Sequence, residues 1–170
     1  MKKLFKVALV AVGILFAGNF ANAQTKIGHI NFNKLIDMMP ETKTIQTTME
    51  AYQKTFIDQL TTMNNELTTK GNDFQKNQAT MTDAVRSAKG TEIQDIQKRM
   101  QDYQNDARQK VEQKQQELTK PLIDKATTAI SAVAKEKGYA YVLDSSQVSL
   151  LVSPDADDLL AAVKLKLALK

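Results

Sequence analysis

From Glu41 onward the apolar positions recur at spacings of three and four. They run through Ile45, Met49, Tyr52, Phe56, Leu60, Met63 and Leu67, with Phe74 and Met81 following at seven. The remaining faces carry Thr, Gln, Asn, Lys and Glu. A seam this long and this thin predicts one strand of a coiled coil rather than an ordinary globular helix. A second seam of the same kind runs through Ile93, Ile96, Met100, Tyr103, Ala107, Val111 and Leu118. Between them, Ala79-Thr80-Met81-Thr82-Asp83 is the expected turn. Thr80 or Thr82 can cap a new helix through the side-chain oxygen, and Asp83 suits a helix's positive end. Gly90 is a weaker place for the break. Pro40 and Pro121 lie equally far from the turn, so two helices of roughly 38 residues, each ~57 Å long, would fold back and end level.

The pattern changes at both ends of this hairpin. Residues 26–32 (Lys-Ile-Gly-His-Ile-Asn-Phe) set Ile27, Ile30 and Phe32 among small or polar residues and predict a short strand. Residues 34–39 predict one helical turn, stopped because Pro40 disfavours helical geometry just before it. Pro40 itself suits the first turn of a new helix. Pro121 falls inside the second long helix, where its missing N–H and its ring predict a kink. Beyond it come Leu122, Ile123, Ala126, Ala129, Ile130, Val133 and Ala134, then Lys135-Glu-Lys-Gly138 with the glycine placed as a C-cap. Residues 139–144 (Tyr-Ala-Tyr-Val-Leu-Asp) and 147–152 (Gln-Val-Ser-Leu-Leu-Val) predict two strands joined by Ser145-Ser146. Asp155 is expected to open a last helix through Leu159, Leu160, Val163, Leu167 and Leu169.

The expected fold is thus α+β and predominantly α: a long antiparallel coiled-coil hairpin projecting from a small β-containing oligomerisation body. The hairpin takes residues 41–120, and the body takes 24–40 and 121–170. That body has only about 67 residues, too few for a generous core of its own. Several copies sharing one body would remove sheet edges and add apolar burial. Ile30, Phe32, Val142, Leu143, Leu150 and Val152 are the residues expected to build it.

Charge changes the picture only once the first residues are set apart. The 170-residue chain carries 23 basic and 19 acidic residues, a formal net charge of +4. Lys2, Lys3 and Lys6 precede an apolar run of about ten residues, and small residues end in Ala21-Asn22-Ala23, the form of an export signal cleaved after Ala23. Residues 1–23 hold three lysines and no acid, so their removal leaves +1. A general nucleic-acid-binding role loses its main support there. The run is also well short of the ~20 residues that span a bilayer, so no stable membrane insertion is expected after cleavage.

Candidate chemistry is sparse. The chain has no Cys, which excludes disulfides, thiolate metal sites, a thiol nucleophile and a lipid-bearing cysteine. His29 is its one histidine and has no second ligand nearby. Asp144-Ser145-Ser146 fits a strand-ending turn better than a nucleophile. Asp155, Asp157 and Asp158 lack the further ligands and glycine of a calcium loop, and read as acids at a helix start. No phosphate-binding glycine loop is present. No catalytic residue, metal site or cofactor is assigned, and no enzyme is expected.

Most aromatic residues of the seams are explained by packing within the hairpin. Phe74, Met81 and Val85 differ because they sit near the turn among Thr, Asn, Gln and Lys, where isolated apolar side chains can touch a partner weakly and without strict shape. Lys70, Lys76, Arg86 and Lys89 outnumber Asp73 and Asp83 there, which predicts a positive arm tip.

The order of these features resembles the Skp (OmpH-like) periplasmic chaperones. The likeness rests on the export signal, the opening Lys26-Ile-Gly-His-Ile-Asn-Phe segment, the long polar hairpin, Lys135-Glu-Lys-Gly-Tyr-Ala-Tyr-Val-Leu-Asp144, and a terminal segment ending Val163-Lys-Leu-Lys-Leu. It implies a homotrimer whose helical arms enclose a cavity, and an ATP-independent holdase for unfolded outer-membrane β-barrel proteins in the periplasm. Pro121 is then the expected hinge between arm and body. Better-known members are strongly basic, whereas this chain after cleavage is near +1. The residues alone leave two other uses of such a coiled coil open: a structural spacer of the cell envelope, or an adaptor presenting its turn to a folded partner.

Overall fold

The computed structural model describes residues 25–169, so the expected export segment and its cleavage point lie outside the described residues. The elements run β1 (Ile27–Ile30), α1 (Phe32–Met38), α2 (Pro40–Asn77), α3 (Asp83–Lys137), β2 (Tyr141–Asp144), a 3-10 turn (Asp155–Asp157) and α4 (Leu160–Lys166). Together they give the α+β, mostly helical architecture with a long hairpin that the periodicity predicts.

Local chemistry explains the boundaries. The Asn31 side chain caps α1 by accepting the Lys34 N–H at 2.8 Å. The cap starts α1 at Phe32, so this residue leaves the expected strand and opens a helix instead. Pro40 is the first residue of α2, where it forfeits no hydrogen bond. The hairpin turns over residues 78–82, with Thr82 as N-cap of α3. Gly90 stays inside α3. Gly138 ends that helix in the left-handed region at φ 73°, with its N–H turned back to the Lys135 carbonyl at 3.3 Å. Helix α3 runs 55 residues and passes through Pro121 without ending.

β1 and β2 pair in parallel, Ile27 opposite Tyr141 through Ile30 opposite Asp144. Parallel pairing needs a long crossover, and here the whole arm serves as that crossover. On its other side β1 is bridged by Asp158, and the Leu159 N–H donates to the His29 carbonyl at 2.9 Å. This bridge corrects the expected last helix. Asp158 is drawn against the sheet, so Asp155–Asp157 form a separate 3-10 turn and α4 begins at Leu160. The bridge also seats Leu159 over Gly28, where a Cβ would lie 2.4 Å from Leu159 Cδ1. Only glycine leaves room for that approach.

The strand expected over residues 147–152 does not form, and with it Leu150 and Val152 lose their expected strand positions. A two-residue hairpin turn needs positive φ, which Ser145-Ser146 does not supply. The chain curls instead: Ser146 N–H and Oγ–H both donate to Asp144 Oδ1, at 2.8 and 2.7 Å, and Val148 N–H donates to the Asp144 carbonyl at 3.2 Å. The segment leaves the sheet, and Leu151 and Val152 are 94% and 87% exposed.

Among the described residues, the one large apolar cluster lies in the head. Leu35, Met39, Leu122, Ala126, Val133, Leu159 and Val163 pack with Ile30 and Tyr139 in one cluster. Ala126 and Ala129 on α3 keep that face shallow enough for α1 and α4 to close on it.

Candidate functional site

The arm is built by the two seams. Met49 and Met63 on α2, and Ile96 and Ala107 on α3, are buried, while the other seam residues are half-buried. Ion pairs cross between the helices in antiparallel register: Glu66 with Arg99 at 3.7 Å, Lys70 with Glu92 at 2.5 Å, and Asp73 with Lys89 at 3.0 Å. The Lys70 ammonium holds the Glu92 carboxyl below its ordinary value, and Lys89 does the same for Asp73. At the base of the arm, Lys125 pairs with Glu41 and lowers its carboxyl pKa in the same way.

These pairs revise the expected positive tip. Lys70, Lys89 and Arg86 are all engaged, the last with Asp83 at 3.2 Å and with the Gln78 and Met81 carbonyls of the turn, both at 3.3 Å. Local acids and carbonyls take up three of the tip's four basic side chains, and Lys76 forms no ion pair among the described residues. Phe74 and Met81 are half-buried beside the turn, and Val85 is 44% exposed. All three lie at the far end of the arm.

Other apolar features on the arm escaped sequence reasoning. A groove of about 440 Å³ opens between α2 and α3 midway along the arm, lined by Phe56, Ile57, Leu60, Ala107 and Val111. The signal that could have found it is the single alanine in the second seam. A smaller cavity of about 280 Å³ lies at the arm's base between Ile45, Leu118, Pro121 and Leu122, beside Glu41 and Lys125. At Pro121 the carbonyl one turn earlier has no helical N–H to accept.

In the head, the six expected body residues fall into two groups. Ile30 is buried in the chain's own core, and Phe32 and Val142 pack half-buried against it. Leu150 is half-buried, whereas Leu143 (41% exposed) and Val152 face outward. Tyr141, Val148 and Leu151 join these on the surface, next to the edge of β2 that has no partner strand among the described residues. Asp144 ties this edge to α1, accepting the Phe32 N–H at 3.2 Å. Burial raises its carboxyl pKa, but the bonds from Ser146 and from the Phe32 backbone outweigh burial and leave it lowered.

The residues weighed for chemistry have structural partners. His29 Nε2 lies 3.3 Å from the Pro154 carbonyl. Asp157 accepts the Tyr139 hydroxyl at 2.9 Å, and Asp158 accepts the Leu160 N–H at 2.8 Å. Among the described residues, no helix is long and apolar enough to cross a membrane.

Residues 26–167 match the family described as Outer membrane protein (OmpH-like). The chain belongs to the OmpH-like family. Two relatives carry the name Chaperone protein Skp. That of Photorhabdus luminescens is 25% identical over 157 residues, covering 90% of this chain and 92% of its own. That of Yersinia enterocolitica is 25% identical over 171 residues, covering 96% and 100%. The crystal structure of an OmpH-like protein from Caulobacter crescentus CB15 superposes with a TM-score of 0.71 at 15% identity, covering 85% of each chain. At that identity the likeness concerns the fold.

Proposed function

We propose that this OmpH-like chain is a periplasmic holdase that binds unfolded outer-membrane β-barrel proteins without ATP, in a cavity between the arms of a homotrimer. The observation that carries the reading is the division of the molecule. A head with a complete core supports a long arm that exposes small apolar sites between polar ones. A single large apolar patch would aggregate in the free protein, whereas scattered weak contacts hold a client through their number and still release it. Binding the unfolded state delays its aggregation. Phe74, Met81 and Val85 contribute such contacts at the arm's end, and Pro121 is the hinge between arm and body.

Self-association is supported by the head's outer surface. The open edge of β2 and the exposed Leu143, Val148, Leu151 and Val152 are an aggregation hazard unless covered, and other copies of the chain are the simplest cover. Leu143→Asp leaves the chain's own core untouched, so it tests assembly directly. The expected product is a folded monomer. The family's chaperone relatives and the sequence's export signal support the periplasmic setting.

The test is dilution of an unfolded β-barrel membrane protein from denaturant into purified protein, without nucleotide or metal, followed by light scattering. Suppressed aggregation is expected. A protein that fails to suppress it at molar excess serves as a spacer or adaptor instead.

A further inference from the structure

We propose that the mid-arm groove is a peptide-binding site for a short extended segment of unfolded chain that carries bulky apolar side chains next to an acidic one. This rests on the holdase reading and gives it a specific point of contact. Every other position of the second seam through this stretch is large: Ile96, Met100, Tyr103 and Val111. Ala107 alone is truncated, and the space it leaves is the groove. Phe56 in the groove's wall is held by two aromatic neighbours. Tyr52 meets it edge-on at 5.1 Å between ring centres, and Tyr103 lies at 6.0 Å.

The groove continues toward the tip past Ile57, Leu60 and Gln104 to Asn64 and Met100. From Gln53 to Asn64 this is ~16 Å along the helix at 1.5 Å per residue. That length matches about five residues of extended chain at 3.3 Å each. The lining matches such an occupant in kind. Phe56, Ile57, Leu60 and Val111 receive apolar side chains, while the Gln53, Gln104 and Asn64 amides can bond a backbone that has no sheet or helix partner of its own. Arg108 lines the same groove and forms no ion pair among the described residues, while Asp106 beside it is engaged by Lys110 and Glu112 one turn on accepts from Gln116. Its free guanidinium selects an acidic group on the segment. Ile57 is 60% exposed, so the wall is open to a passing chain.

The probes are fluorescent peptides alternating Leu and Ser, with a central Glu or Lys, read by anisotropy against the purified protein. Ala107→Leu fills the groove and is expected to weaken the Glu peptide about tenfold. Arg108→Gln should abolish the preference for Glu over Lys. Ile57→Ser, at an exposed position, probes the same wall should Ala107→Leu fail to fold, and it too should weaken the Glu peptide. Wild-type affinity in both groove variants, with helicity intact, overturns the proposal. So does a change of solution mass on filling the groove, which would make a second copy the occupant. If removing the arms abolishes aggregation suppression while the groove variants bind normally, only the groove assignment falls. If armless protein still suppresses aggregation, the holdase reading falls with it.

Discussion

The head and the arm bury residues in different ways. In the head, Leu35 and Val163 are fully buried in a cluster that draws residues from β1, α1, α3 and α4, so each element depends on the others. In the arm, Ile96 is just as buried, yet it answers to one facing helix only. The head is therefore cooperative and the arm is modular. The proposed client binding would gain from that, because the arm's surface can vary without risk to the fold.

Equal burial with unequal consequence is the sharpest way to break the comparison. Leu35→Ala should cost the head about 2–5 kcal/mol and unfold it as a unit. Ile96→Ala should instead raise hydrogen exchange in the arm alone, leaving the urea midpoint of the head unmoved. Global unfolding by Ile96→Ala would show that arm and head form one cooperative body.

The next effect sits at the junction. Pro121→Ala restores an N–H inside α3 and removes a residue that costs up to ~3 kcal/mol in a helix interior. Helicity should be unchanged and thermal stability raised. If Pro121 sets the arm's angle, small-angle scattering should shift and client capacity fall. Unchanged scattering would reduce Pro121 to a tolerated irregularity. Within the head, Gly28→Ala drives a Cβ into Leu159 and should cost about 1–3 kcal/mol, visible in the denaturation midpoint.

How much of this was legible in the sequence also differs between the two regions. The arm follows from local signals that act within one turn of helix: the seams, the Thr82 cap, Pro40 at a helix start and Gly138 at a helix end. The head depends on contacts far apart in sequence. Residues 147–152 have the composition of a strand, but pairing is decided by the turn before them, and Asp144 takes up Ser146 in a curl. Asp158 reads as part of a helix until β1, more than a hundred residues away, claims it as a bridge. The groove was hidden for the opposite reason. It arises from a missing side chain at Ala107, which a pattern of apolar positions counts as present.

Smaller effects concern charge. Asp73 and Glu92 have lowered carboxyl pKa values, so their pairs with Lys89 and Lys70 stabilise the tip above the ordinary carboxylate range of about pH 4. That support is lost as pH falls through the lowered values. Exchange near the turn should therefore rise in acid before the arm's middle responds. Asp144 follows the same sign, so the join of β2 to α1 should loosen in acid too. Salt should matter least: with a net charge of +1 after residue 23, client protection should hardly change across moderate ionic strength. A steep loss with salt would point to electrostatic capture.

On the proposed reading the head assembles and the arm captures. Deleting residues 51–111 removes the arm beyond its base together with every side chain that lines the groove. A turn can close the shortened hairpin, because the antiparallel register that sets Lys70 opposite Glu92 and Asp73 opposite Lys89 brings the cut ends of α2 and α3 face to face. Solution mass and suppression of β-barrel aggregation are then measured on one sample. The expected result is an oligomer of unchanged copy number that no longer protects its client. Full protection by this armless oligomer would contradict the division.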